Sequence, residues 1–416
     1  MWVDQSMCRE TKSIVIVGAG PAGMMLAWLL IKNGIEVKII ERHLDFSREF
    51  RGEGIQESVV QHLEDLGLLP AIMSKKIGIA AEAARVFFDE KPVATLKGST
   101  KGSTGDANFG IILHQAKFLS YLHDELLKNE LFESYLGYNA VKFEENNDKI
   151  THVITKDKHK TEHRIAGELV VVTTGRGTAL RKKLNLEADK IDTHWNILWV
   201  ILPKPNNEEI IPKGFRAYLN GETLFIMYTN AEGLVQMAWC KKNEKDLKIK
   251  DFDLKKSILL NEVPKPYKEL VETGYLETSR TQFLRVACDR LEKWYYKNVL
   301  FLGDAAHTMS PVAGQGINLA IRDSIVAANY LIDAFNRDAI DPGQIFPLIQ
   351  AERLREVKIM QAFQRRFGYF MLGAPRFISK LFFFRVLPIL GLIGMQKRLL
   401  TMVQGGVSKV AFNHEH

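Results

Sequence analysis

The chain has 416 residues, 46% apolar and 25% charged, with a formal net charge of +7, and reads as an ordinary globular protein with room for two or three domains. Its three cysteines (Cys8, Cys240 and Cys288) are far apart with no C-x-x-C spacing, which suggests neither a disulfide framework nor a zinc site and fits a reducing compartment. The positive charge is concentrated between Val357 and His414, where nine Lys and Arg residues meet no Asp or Glu; the rest of the chain is not basic, which argues against a nucleic-acid partner.

The first informative element is the β-branched run Ser13–Val17, which suits a buried parallel strand. Gly18, Gly20 and Gly23 follow it. Gly18 permits a tight turn, Gly20 lets the backbone approach a pyrophosphate, and Gly23 lets the next helix pack close to the strand. A helix from Ala22 to about Asn33 then aims its N–H groups at the phosphates, and Gly34 ends it. A second strand, Val37–Ile40, leads to Glu41, 23 residues past Gly18, where a carboxylate meets adenosine ribose hydroxyls. Strand, helix, strand and acid together specify a dinucleotide site.

Gln56–Leu66 has helical spacing, Lys97–Gly110 reads as a surface loop, and Phe118–Leu127 is a helix candidate. Ala140–Phe143, Ile150–Thr155 and Leu169–Thr173 read as strands. From about Ile191 to Phe283 the pattern changes to short aromatic-rich strands: His194–Leu202, Phe215–Leu219, Leu224–Tyr228 and Leu234–Trp239. Turn signals stand at Asn220-Gly221 and Glu232-Gly233. Val299–Leu302 returns to a parallel-type strand and runs into Gly303-Asp304-Ala305-Ala306-His307, then Pro311 and Gly314-Gln315-Gly316-Ile317-Asn318. A strand ending in Gly-Asp puts a carboxylate beside a second polyol, and the glycine turn presents bare N–H groups to an electron-rich ring edge. A helix over 316–334 follows, and the remainder reads as helical, with Pro375, Pro388, Gly391 and Gly394 as interruptions.

These motifs resemble the class A flavoprotein monooxygenases typified by para-hydroxybenzoate hydroxylase. The resemblance rests on Gly18 to Gly23, Glu41-Arg42, Arg51-Gly52 and Gly303-Asp304 through Asn318, and spans about Ser13 to Leu331. It implies an α/β fold: a Rossmann-type FAD-binding domain (1–75, 105–190 and 284–340) with an inserted, largely antiparallel β-sheet substrate domain (76–104 and 191–283). A basic, hydrophobic helical region (341–416) completes the chain. It implies one FAD, contacted by Gly18, Gly20, Ala22, Gly23, Glu41, Arg42, Arg51, Gln115, Val141 and Gly175, and by Asp304, Pro311, Gly314, Gly316, Ile317 and Asn318. NADPH or NADH would be the reductant. A small aromatic or otherwise electron-rich apolar substrate would be hydroxylated with O2 through a flavin C4a-hydroperoxide. No metal is implied.

One position departs from the family. Where its pattern resembles Asp-Gly-x-x-Ser-x-x-Arg, this chain reads Thr174-Gly175-Arg176-Gly177-Thr178-Ala179-Leu180-Arg181. The missing carboxylate bears on reductant handling. His307 is a weak catalytic candidate as a general base, at a position that is usually structural in the family. Trp199, Tyr218, Phe225, Met227, Met237, Trp239 and Pro311 are pocket candidates for a flat apolar substrate, equally suited to a sheet core. Alternation puts 225 and 227 on one face, and 235, 237 and 239 on one face, without saying which meets the flavin.

Halogenation is disfavoured, because Trp195 and Trp199 lack the Trp-x-Trp-x-Ile-Pro spacing of flavin halogenases. Two alternatives stay open: a same-fold reductase of lipid double bonds, and a non-catalytic FAD-binding module using its tail. The first twelve residues hold no apolar core of signal-peptide length, so the expected location is cytoplasmic, with peripheral membrane contact through 366–410 as a further option.

Overall fold

Every residue of the strand Ser13–Val17 is buried, and its side chains alternate between two apolar clusters, Ile14 and Ile16 in one and Val15 and Val17 in the other. A strand covered on both faces has no polar side, so its sequence is a continuous apolar run. In the computed structural model, which describes residues 12–47, 53–98, 110–176, 178–191, 193, 195–204, 212, 214–220, 222–242, 244–273 and 281–414, this strand lies inside a six-stranded sheet. The order is Tyr295–Tyr296, Val299–Phe301, Leu169–Val172, Ser13–Val17, Glu36–Glu41 and Phe132–Leu136, parallel apart from the terminal Tyr295–Tyr296. Helices Pro21–Lys32, Gln115–Leu126 and Gln315–Asn336 bury one face. The antiparallel strands Asn139–Asn146, Lys149–Lys156 and Glu162–Ala166 pack on the other. Pro21 stands in the first helical turn, where its missing N–H has no partner to lose.

The second layer is a seven-stranded sheet in the order Thr281–Leu284, Asn196–Leu202, Val235–Lys241, Thr223–Thr229, Gly214–Asn220, Ala83–Phe88 and Lys91–Lys97. Only Gly214–Asn220 beside Ala83–Phe88 is parallel. The last two strands are not evident in the sequence, where neither alternates cleanly. The turn expected at Glu232-Gly233 forms around Asn230, whose Oδ1 accepts from the N–H groups of Glu232 and Leu234, both at 3.0 Å. Gly221, and residues 99–109 of the expected Lys97–Gly110 loop, lie outside the described residues.

The sheet's two faces have different neighbours, and this is the fold's main consequence for function. Tyr218, Phe225, Met227, Met237 and Trp239 pack with Leu259, Tyr267 and Val271 of the helical stretch 252–273. Trp199, Leu224, Tyr228 and Cys240 pack with Val312, from the glycine turn, and with Leu372, Phe383 and Leu387 of the C-terminal region.

After helix Pro342–Gly368 the chain runs through a wide turn, Tyr369–Gly373, and short helical pieces Arg376–Leu381, Phe382–Val386 and Leu387–Leu392, then helix Met395–Gly405. Breaks fall at Pro375 and at Gly394, whose φ is +73°. Pro388 does not break the path, contrary to expectation. It sits at the start of Leu387–Leu392, just after a π-helical stretch whose wider turn accommodates a residue lacking an N–H.

Candidate cofactor and substrate site

The turn after Ser13–Val17 is built by contact. Gly18 has φ +111°, and a Cβ there would lie 2.7 Å from the Thr173 backbone carbon. A Cβ on Gly23 would lie 2.0 Å from the Gly18 carbonyl oxygen, so this position brings helix and strand together as its role requires. Thr173 Oγ1 donates to that same carbonyl at 2.6 Å. Gly20 is different: a Cβ there would meet nothing within 4 Å. It caps helix Pro21–Lys32 with no side-chain acceptor, so the helix N-terminus faces an open cradle. An FAD pyrophosphate fits those donors and that space.

Glu41 is buried and its carboxylate accepts from the N–H groups of Ala19 at 3.0 Å and His43 at 3.1 Å, which fixes it beside the glycine turn. Arg42 is exposed and pairs with His43, and Arg51 lies outside the described residues. Val141 belongs to the strand that starts after Tyr138, whose N–H bonds to the Glu41 carbonyl at 2.9 Å. This tethers the start of that strand to the end of Glu36–Glu41.

The two glycine motifs meet at Gly303, where a Cβ would stand 3.3 Å from both the Ala22 and Ala320 methyls. Arg181 clamps this turn. Its guanidinium donates to the carbonyls of Ala305 at 2.6 Å and Asp304 at 3.0 Å, and pairs with Asp289 at 2.9 Å. The arginine of the Thr174–Arg181 segment is thus a brace under Asp304, while Thr174 is exposed and Gly175 faces open space.

Past Pro311, helix Gln315–Asn336 opens at Gly314 with no side-chain cap, and Gly316 stands 4.0 Å from the Asp304 carboxylate measured from its would-be Cβ. Bare N–H groups and a nearby carboxylate match the needs of a flavin ring edge and its polyol chain. Asn318 does something the sequence did not suggest. Its side chain accepts from Gln56 N–H at 2.9 Å and donates to the carbonyls of Gly54 at 2.9 Å and Gly314 at 2.8 Å. It ties the 54–56 strand to the glycine turn, so only its main chain is left for a cofactor. Gln115 opens helix Gln115–Leu126 and its N–H meets the Glu53 carboxyl.

Glu53 was not singled out from sequence. It is 2% exposed, and burial pushes its carboxyl up to about 8 despite the donors from Gln115 and Gln236. Gln236 Nε2 donates to Glu53 at 3.1 Å, and Gln236 Oε1 accepts from the Tyr228 hydroxyl at 2.6 Å. This buried polar chain crosses the sheet face that meets the glycine turn. The only sequence signal was a polar Gln in the apolar run Val235–Trp239.

Two corrections follow. Tyr218, Phe225, Met227, Met237 and Trp239 belong to the face turned away from Val312; Trp239 Nε1 donates to Glu262 at 2.8 Å on that far side. The strand period of two separates them from Trp199, which stays on the near face. Trp199 Nε1 is buried with no hydrogen-bond partner among the described residues. His307 is 1% exposed, bonds Asp323 through Nε2 at 2.7 Å and packs on the Trp294 ring at 4.9 Å. Asp323 also accepts from Arg353 at 2.8 Å and from Gly303 N–H at 3.2 Å. His307 is part of an interior charge network supporting the Gly-Asp turn, which argues against its acting as a base on substrate.

Residues 10–342 match the family described as "FAD binding domain". The 6-methylpretetramide 4-monooxygenase of Streptomyces rimosus is 25% identical over 357 residues, covering 84% of this chain and 83% of that protein. The solved p-nitrophenol 4-monooxygenase of Pseudomonas putida DLL-E4 superposes with a TM-score of 0.78 at 16% identity, over 95% of this chain and 99% of that one. The flavin-dependent brominase Bmp2 superposes at 0.75 with 14% identity, over 97% and 94% of the two chains. Those two structural likenesses show the fold and do not choose the chemistry.

Proposed function

This chain belongs to the FAD-binding-domain family of flavoprotein monooxygenases, and we propose that it hydroxylates a small aromatic or electron-rich apolar substrate with O2 and NADH or NADPH. The observation that carries this reading is the single apolar cluster in which Val312 of the glycine turn packs with Trp199 and Tyr228 of the sheet. A substrate held there would lie beside the flavin in a site closed to water. When bound, FAD supplies the electron transfer and the oxygen-atom transfer.

The chain's residues then bind, orient and exclude water. Gly18, Gly20 and the N-terminus of Pro21–Lys32 hold the pyrophosphate, and Glu41 the ribose. Asp304 takes the polyol chain, and the main chain from Gly314 to Asn318 takes the ring edge. Trp199 Nε1 offers its unpaired N–H to a substrate oxygen, and leaving such a donor unmatched in a buried site disfavours a purely hydrocarbon ligand. The Trp-x-Trp departure weighs against a halogenase.

The test is product analysis. Purified yellow protein is given a panel of phenols under ¹⁸O2, with NADH or NADPH. One labelled oxygen in the product, with nicotinamide oxidation stimulated by that phenol, supports the reading. Nicotinamide oxidation with no labelled product from any phenol of the panel overturns it. Trp199→Phe should raise KM for an oxygen-bearing substrate about 10-fold while FAD content stays unchanged.

A further inference from the structure

Thirteen large apolar side chains are exposed among the described residues, and nine of them lie between Tyr369 and Met395. Phe377 is 72% exposed, Leu392 87% and Ile393 65%, with Leu381 and Ile389 both at 56%. These residues are not on a loose tail. The opposite side of the same segment is anchored: Phe383 is buried against the Phe88 ring at 5.8 Å, Leu387 joins the sheet cluster, and Arg376 pairs with Asp89 at 2.5 Å. A helical segment packed on a globular body ordinarily turns charge outward. Here the inner side is satisfied by protein and the outer side is still apolar.

The setting of that patch is basic. Lys380, Arg385, Lys397 and Arg398 are all exposed around it, and no Asp or Glu occurs between Val357 and His414. The chain bends by 91° between Arg376–Leu392 and Lys397–Gly405, through Gly394 at φ +73°. Leu392 and Ile393 therefore stand at a projecting corner, with Lys397 and Arg398 just behind them. No single helix among the described residues is long and apolar enough to cross a bilayer.

We propose that residues 369–398 dock the protein on the surface of an anionic lipid bilayer, inserting the Leu392–Ile393 corner among the acyl chains while the surrounding Lys and Arg meet headgroup phosphates. Burying the apolar outer side and neutralising the basic rim are both favourable at such a surface. A second copy of this chain fits less well. A two-fold contact through this patch would bring the same four cations of each copy together with no acid between them.

The experiment uses the full-length, FAD-loaded protein and vesicles of phosphatidylcholine alone or with about 30% phosphatidylglycerol, separated by flotation. The expected result is binding to the anionic vesicles, weakened about 10-fold or more by Lys397→Glu with Arg398→Glu and by high salt. Leu392→Ser with Ile393→Ser should abolish flotation and leave FAD content and nicotinamide oxidation unchanged, since neither side chain packs on the body. Phe377→Ser gives a second, independent loss from another part of the patch. Failure to float with anionic vesicles overturns the proposal, as does a Leu392→Ser, Ile393→Ser protein that floats like the wild type. Sedimentation equilibrium showing a dimer that this double variant dissociates, in a protein that ignores vesicles, would assign the patch to self-association instead.

Discussion

Glu53 is buried with a carboxyl that holds its proton up to about pH 8, against an ordinary value of 4.5. In the unfolded chain it would ionise near 4.5. The neutral acid thus stabilises the fold fully below pH 4.5, and that contribution is lost as pH rises toward about 8. Over the whole span the linkage amounts to about 5 kcal/mol, of which about 1.4 kcal/mol is lost by pH 5.5 and about 3 kcal/mol more between pH 5.5 and 8. Glu53→Gln has no proton to lose. Its amide oxygen can still accept from Gln236 Nε2 and from the Gln115 N–H, so the buried chain to Tyr228 survives. Urea unfolding of both proteins across that pH range, at one FAD concentration, reads the difference directly. The stability gap should move in favour of Glu53→Gln by about 3 kcal/mol on going from pH 5.5 to pH 8. A gap that stays constant refutes the reasoning, because it would mean that Glu53 titrates alike in the folded and unfolded chains.

Gly20→Val should fold yet fail to retain FAD, since its side chain enters the open cradle, whereas Gly23→Val should not fold, its Cβ lying 2.0 Å from the Gly18 oxygen; circular dichroism and the flavin spectrum separate the two. Asp304→Ala should weaken FAD binding by about 10-fold or more through loss of a charge-assisted hydrogen bond, measured by fluorescence titration. His307→Ala should instead leave FAD contacts intact and destabilise the protein by about 2–4 kcal/mol, because it strips a partner from buried Asp323; normal stability with lost substrate oxidation would restore a catalytic role. Thr174→Asp should change the rate of nicotinamide-driven flavin reduction more than FAD content, seen by stopped-flow absorbance, and equal rates would show the departure to be neutral.

The dinucleotide half of the protein was legible because its signals are local. Ser13–Val17, Gly18 to Gly23 and Glu41 lie within one βαβ unit, where each residue's role follows from backbone geometry that neighbouring residues impose. The same holds for Gly303-Asp304 and the turn at Gly314, which each announce a strand end or a helix start. The helical tail was also evident, as were four of the seven strands of the second sheet, from alternation and turn signals. Periodicity gives two faces, however, and does not say which of them meets a distant segment. The aromatic strands alternate alike on both sides, and only the packing of helices 252–273 on one and of Val312 on the other separates Trp199 from Tyr218, Phe225 and Trp239. Glu53, Gln236 and Tyr228 are brought together from positions 183 and 8 residues apart, and Asn318 reaches back 264 residues to Gly54. Apart from the polar Gln236 in an apolar run, those contacts carry no mark in the chain itself, because burial and hydrogen-bond partners at such separations exist only once the sheets have stacked. The tail shows both sides of this. Its charge and hydrophobicity are written in the sequence, but which apolar side chains grip the body and which face outward is decided by the sheet and strand edges it packs against.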